Sequence, residues 1–258
     1  MKVSNIVKGS IFLLLLVGVA GYIAYFFMNR PSGNPREVCT EVSLVVEDNP
    51  NAAFIDNKKV EDILLSAHLY PKGQLMDDIN PQAIEETLRQ NNFIAKGECY
   101  KTNNGMPVGK GKVCVKVTQR TPVIFVLPEG RDGYYVDAEG LILADNGYVK
   151  NIITATGRIT QEYASEHLAA FGRYLIDHPF WDDMIEQIHI EPDTKGTSVA
   201  TLIPRVGDHT IFLGTLDQLD TKLRRLQIFY QQGLPQVGWN KYSRLDLQYG
   251  NQIVCTKK

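Results

Sequence analysis

Apolar and polar positions change their period several times along this chain. From Ile11 to Met28 (IFLLLLVGVAGYIAYFFM) charge is absent altogether. At a helical rise of roughly 1.5 Å per residue the run reaches about 27 Å, close to the hydrocarbon thickness of a bilayer. It predicts a transmembrane helix over 11–28, behind a short head at 1–10 and ahead of a linker at 29–38. A cleaved signal peptide is the alternative, since Gly18-Val19-Ala20 offers small residues at the positions a signal peptidase inspects. Cleavage there would leave Tyr22, Ile23, Tyr25, Phe26 and Phe27 as an exposed apolar terminus, whereas an anchor sets them at the lipid–water boundary. Lys2 and Lys8 before the run are balanced by Arg30 and Arg36 after it. A short head before a long body points to an N-terminus inside.

Pro31, Gly33 and Pro35 stop the helix from continuing outward. Val42, Leu44 and Val46 then alternate with Ser43 and Val45, the period of a strand. Asp56 is placed to cap a helix whose Val60, Ile63, Leu64 and Ala67 form one stripe. Pro71-Lys72-Gly73 breaks it, and Asn80-Pro81 opens a second helix with Ile84 and Leu88 on one face. Two strand-like runs follow, Phe93 to Lys101 and Lys112 to Thr118, joined by the polar Thr102 to Gly111. Val113, Val115 and Val117 share the face that covers the helices. The order over 39–120 is strand, helix, helix, strand, strand.

Beyond residue 121, Thr160 opens a helix with Ala164, Leu168, Phe171 and Leu175 inward, which Pro179 ends. Strands are expected from Ile185 to Ile190, from Ser198 to Ile203 and over Asp208 to Gly214. Thr215-Leu216-Asp217-Gln218 reads as a capping box for a helix with Leu216, Leu219, Leu223 and Leu226 inward, stopped by Gly233 and Pro235. A last strand is expected from Tyr242 to Val254.

The hydrophobic share of 44% and charged share of 22% fit a folded body long enough for two domains. A net charge of -2 supplies no basic field for nucleic acid. No GxSxG elbow or HExxH helix occurs, and Gly105 to Lys112 fails as a P-loop because Lys110 stands where its second Gly is needed. His189 and Glu191 share a strand face, yet no third metal ligand is near in sequence. Asp182 and Asp183 are adjacent, so on an extended chain they face apart. No catalytic residue, cofactor, metal or small-molecule substrate is expected.

Arg120-Thr121-Pro122 and Tyr134-Tyr135-Val136-Asp137-Ala138-Glu139-Gly140 resemble the R-x-P and Y-x-V-D-x-x-G segments of the FtsQ/DivIB family. Asp208 to Gly214 (DHTIFLG) is similar to that family's strand ending in Leu-Gly, and Arg244 to Tyr249 (RLDLQY) to its terminal D-L-R-Y strand. Gln248 stands where Arg is usual, and Gln119 where Glu often precedes R-x-P. The resemblance implies an α+β chain: a transmembrane helix (11–28), a POTRA domain (39–120), and a β domain (121–258) with a curved, mainly antiparallel sheet. It also implies a non-enzymatic divisome scaffold in the bacterial inner membrane at the division site. Its bulk would lie outside the cytoplasm and engage FtsB/DivIC-like and FtsL-like partners. A POTRA module of an envelope secretion or assembly pathway is the alternative, and a membrane-anchored envelope enzyme a further one. No barrel strands are expected after Val254.

Two local expectations follow. Tyr242 to Val254, as an edge strand, would template a partner's strand, with Tyr249 as anchor and Leu247, Gln252 and Val254 as flanking contacts. Cys99 and Cys114 would pair as a disulfide across the hairpin, setting Lys101 opposite Lys112.

Overall fold

The computed structural model describes residues 15, 17–23, 25, 37–49, 53–102, 110–145 and 152–258. Much of the expected span 11–28 and the hairpin tip 103–109 lie outside the described residues. Within them, no helix is long and apolar enough to cross a membrane. Residues 17–23 are helical with exposed side chains.

A three-stranded sheet is formed by β1 (Val38–Val46), β2 (Ile94–Thr102) and β3 (Lys110–Gln119) in the order β1-β3-β2. With α1 (Asn57–Ser66) and α2 (Pro81–Arg89) between β1 and β2, the element order is the expected one. Contacts group the chain into two compact units, 1–42 with 71–80 and 101–113, and 43–70 with 81–100 and 114–258. In the first, residues 73–76 lie along the start of β1. Cys39 donates to Gln74 O (2.9 Å), and Met76 N to Glu37 O (2.8 Å). Met76 fills the space over Gly111, where a Cβ would come within 2.3 Å of its sulfur. A larger residue there would have to push the Met76 side chain aside.

In the second unit the Asp56 carboxylate caps α1 by accepting from Lys59 N at 2.8 Å, and Val60 and Leu64 are buried. Pro81 opens α2, which buries Ile84 and Leu88. The disulfide expectation is corrected, since no disulfide joins Cys99 to Cys114 among the described residues. Burial gives the reason. On β3, Val113, Val115 and Val117 face inward, so Cys114 faces out, while Cys99 lies on the buried side of β2. Thiols on opposite faces of a sheet cannot bond.

The larger sheet has nine strands in the order β12-β11-β10-β9-β8-β7-β4-β5-β6. They are β4 (Pro122–Pro128), β5 (Tyr134–Asp137), β6 (Ile142–Ala144), β7 (Ile153–Gly157), β8 (Ile185–Pro192), β9 (Ser198–Pro204), β10 (Thr210–Gly214), β11 (Tyr242–Asp246) and β12 (Val254–Lys257). The pairs β4–β7, β7–β8 and β10–β11 are parallel. The sheet is therefore mixed; parallel neighbours need crossovers, which helices supply for β7–β8 and β10–β11, while β5 and β6 lie between β4 and β7 in the chain. One crossover carries α3 (Gln161–Tyr163), a π-helical turn (Ala164–Leu168), α4 (Ala169–Asp177) and α5 (Pro179–Met184). The other carries α6 (Leu219–Ile228), a second π-helical turn (Phe229–Gly233) and α7 (Leu234–Val237). Their apolar stripes, Leu168, Phe171, Leu175, Leu223 and Leu226 among them, pack on Ile124, Val126, Ile188, Ile190 and Leu213 of the strands.

Thr160 caps α3 as expected, its Oγ1 accepting from Tyr163 N at 3.1 Å. The capping box at 215–218 does not form. The helix starts later, at Leu219, behind Gln218 at φ 51°. Thr215 instead donates to Asp217 Oδ1 (2.6 Å), which also receives the buried Lys222 ammonium at 2.6 Å. That ammonium holds the Asp217 carboxyl below the usual carboxylate range. The Thr215 hydroxyl is thus engaged with Asp217 in place of the Gln218 amide that a capping box would use.

Candidate functional site

At the C-terminal end of the sheet, β11 lies between β10 and β12. Ile211 stands opposite Leu245 in the parallel pair, and Asp246 opposite Val254 in the antiparallel one. The expected single strand from Tyr242 to Val254 is thus corrected to two strands joined by a turn. β12 is the edge, and β11 is interior. Leu247 N makes a further bond to β10, donating to Phe212 O (2.9 Å), and the local bond of Gln248 N to Asp246 Oδ1 (3.0 Å) then turns the chain out of the ladder. Leu247 is fully buried, so its side chain anchors the turn and offers no free surface. Tyr249 on the turn is 50% exposed, Val254 at the start of β12 is 41% exposed, and Gln252 is exposed. The outer side of β12 has no neighbouring strand among the described residues.

The turn is held from α6. Arg225 Nη1 donates to Tyr249 O at 2.7 Å and to Gly250 O, and its Nη2 donates to Leu247 O at 3.0 Å. A planar guanidinium with a fixed fork of donors suits three closely spaced carbonyls. Between Ile228 and Phe229 on one side and residues 251–253 on the other lies a groove of about 400 Å³ beside the edge. Its apolar lip continues onto exposed Ile228.

Behind β10 sits buried His209, its Nε2 2.7 Å from Tyr230 Oη, with Trp239 edge-on to the Tyr230 ring. Burial lowers the His209 pKa, since a charged imidazole would lose its water. Asp208 receives Lys258 Nζ at 3.0 Å, which ties the chain end to the start of β10.

A second constellation lies where β3 passes into β4. Arg120 Nη1 contacts Asp137 Oδ2 at 2.8 Å and Glu139 Oε2 at 2.9 Å. Asp137 is buried, and its Oδ1 accepts from Glu139 N (3.0 Å) and Leu141 N (2.7 Å). This Asx-type turn closes on Gly140 at φ +86°, where a Cβ would stand 2.4 Å from Ser165 O. Arg173 donates to Ala138 O on the same turn. Above it Tyr135 meets Phe125 (4.9 Å) and Phe54 (5.7 Å), and Phe54 stacks on Phe93 at 5.0 Å. Gln119, buried, accepts from Ile55 N at 2.9 Å through its Oε1. A neutral amide there avoids the cost of a buried charge.

The structure brings Tyr249, Gln252 and Val254 to one margin and sends Leu247 inward. Cys99 and Cys114 face apart. Among the described residues, no group of three or more His, Cys, Asp or Glu side chains is placed to hold a metal. Arg225 carried no signal in the sequence, because its contacts lie 22 to 25 residues away. The Arg120–Asp137 bond joins two motifs that were legible only separately.

A β-α-α-β-β domain followed by a mixed sheet with helical crossovers defines a POTRA-like module joined to a larger α/β module. Residues 37–118 match the model of the POTRA-like domain, and residues 121–256 match the family model described as FtsQ/DivIB, C-terminal related. The chain belongs to this FtsQ/DivIB-related family. No curated protein matches it.

Proposed function

We propose that this chain is a non-enzymatic, bitopic scaffold of the bacterial divisome. Residues 11–28 anchor it in the inner membrane with 1–10 inside, 29–38 act as a linker, and the POTRA domain (39–120) and β domain (121–258) lie outside. It captures an FtsB/DivIC-like or FtsL-like partner at the division site by adding the partner's strand to β12. Family membership supports the division role. The observation that carries the docking mode is the edge position of β12, with Tyr249 and Val254 exposed beside an apolar groove. Val17, Val19, Tyr22 and Ile23, helical and exposed, are side chains that lipid would cover.

Conditional depletion with microscopy tests the role: filamentous cells with unfinished septa are expected, and normal division under complete depletion removes it. A chain ending at Ile253 tests the docking mode, because it lacks β12. With the fold verified by circular dichroism, it is expected to stop co-purifying the partner, and undiminished capture overturns strand addition. A reporter active only outside the cytoplasm, fused after Lys258, is expected to be active.

A further inference from the structure

A groove of about 1060 Å³ opens where three mutually parallel strands end. Leu127 and Pro128 come from β4, Thr156 and Gly157 from β7, and His189 and Glu191 from β8. Parallel strands finish in the same direction, and the crevice outside their carboxyl ends is where open α/β sheets commonly hold ligands.

One wall is fixed by a row of hydrogen bonds. Gln187 Nε2 donates to Thr156 Oγ1 at 2.8 Å, Thr156 Oγ1 lies 2.9 Å from His189 Nδ1, and His189 Nε2 lies 2.7 Å from Glu191 Oε1. The Glu191 carboxylate can only accept, so the neutral imidazole carries its proton on Nε2 toward Glu191, and Nδ1 accepts from the Thr156 hydroxyl. Among the described residues only Oε1 of Glu191 is engaged, which keeps its second oxygen for another donor.

The opposite wall is the turn after β4, where Gly130 at φ +71° presents Arg131 and Asp132. Among the described residues neither side chain makes a hydrogen bond or ion pair, and Arg158 meets Glu129 only loosely, at 3.5 Å with both largely exposed. The lining thus carries two guanidiniums, Arg131 and Arg158, and three carboxylates, Glu129, Asp132 and Glu191, with apolar Leu127, Pro128 and Pro192 among them. A polyanion would meet three like charges and a polycation two. A small ligand with one positive and one negative end meets complementary partners at both walls.

We propose that this groove binds a short peptide with free termini, its carboxylate on Arg131, its ammonium group on Glu191 and its chain over the apolar floor. This site is separate from the β12 margin and does not depend on the scaffold reading. Saturation-transfer NMR on the full chain in mild detergent tests it with four probes: trialanine, its C-terminal amide, its N-acetyl form and the doubly capped form. Free trialanine is expected to bind saturably, and each cap to weaken binding by about tenfold, the worth of one charge-assisted hydrogen bond. Arg131→Gln is expected to abolish the penalty for amidation alone, and Glu191→Gln the penalty for acetylation alone. Tyr249→Ala is expected to change neither. Both substituted side chains lie at an open rim, and unchanged near-UV circular dichroism shows the fold kept. Absence of saturable trialanine binding, equal binding of all four probes, or penalties that survive both substitutions overturns the proposal.

Discussion

Two arginines each hold a turn, and they hold it to opposite ends. Arg120 binds the carboxylates of Asp137 and Glu139, and Asp137 is spent on two backbone amides besides. Both oxygens of Asp137 are engaged, and the turn is roofed by Phe54, Phe125 and Tyr135. Arg225 instead binds three carbonyls of the turn before β12 and leaves Tyr249 half in water. The same guanidinium chemistry closes the first region and keeps the second presentable. A charge pair whose buried carboxylate has both oxygens engaged stiffens a joint, whereas a clamped backbone with Tyr249 outward prepares a surface.

The sharpest way to break this comparison is Asp137→Ala, which leaves two amides without their acceptor and Arg120 with Glu139 alone. A loss of about 3 kcal/mol in unfolding free energy is expected by denaturant titration. The protein that remains folded is expected to capture its partner with unchanged affinity, and a parallel loss would show joint and edge to be one device. Tyr249→Ala is expected to do the reverse, with unaltered stability and partner binding weakened by about 2 kcal/mol, as for an aromatic interface anchor. Surface plasmon resonance on the folded variant measures this.

Arg225→Ala is expected to be intermediate, costing about 1 kcal/mol of stability and weakening capture because Tyr249 is no longer positioned. Protection of the 247–250 amides from hydrogen exchange is expected to fall with it.

A smaller effect is expected from pH. Because the folded protein depresses the His209 pKa, the unfolded chain binds the extra proton first. Stability is therefore full above about pH 6.5 and falls as the pH drops below it toward the folded pKa. Asp208, Lys258, Tyr230 and Trp239 surround the imidazole, and His209→Gln is expected to flatten that part of the curve of thermal midpoint against pH. The least change is expected from oxidation: non-reducing mass mapping should find Cys99 and Cys114 alkylated separately, and a Cys99–Cys114 peptide would mean the hairpin register differs.

Period, caps and breakers made most of the secondary structure legible. The stripe Val60–Leu64, the cap at Asp56 and the alternation Val113-Val115-Val117 appear in the structure where their spacing put them. The errors came where a tertiary partner outbid a local one. Thr215 to Gln218 has the letters of a capping box, yet the Thr215 hydroxyl goes to Asp217, which Lys222 also holds. Tyr242 to Val254 reads as one strand, yet Leu247 is drawn into the core and Gly250-Asn251, residues that favour turns, lie before β12. Cys99 and Cys114 suit a hairpin register by count, but which face each occupies depends on burial along the whole strand.

The sequence by itself determined the periods, and through them the order of elements, the family and the stretches that could form an edge. Those properties are local, set by which side chains recur every two or 3.6 residues and by where Pro, Gly and Asp interrupt them. Only the tertiary structure decided which strand is the outermost, which residues of the last turn face out, and that Arg225 and Arg120 reach their distant partners. Sheet order and cross-chain hydrogen bonds arise from packing one apolar face against another, a competition among distant segments that no single window of sequence contains.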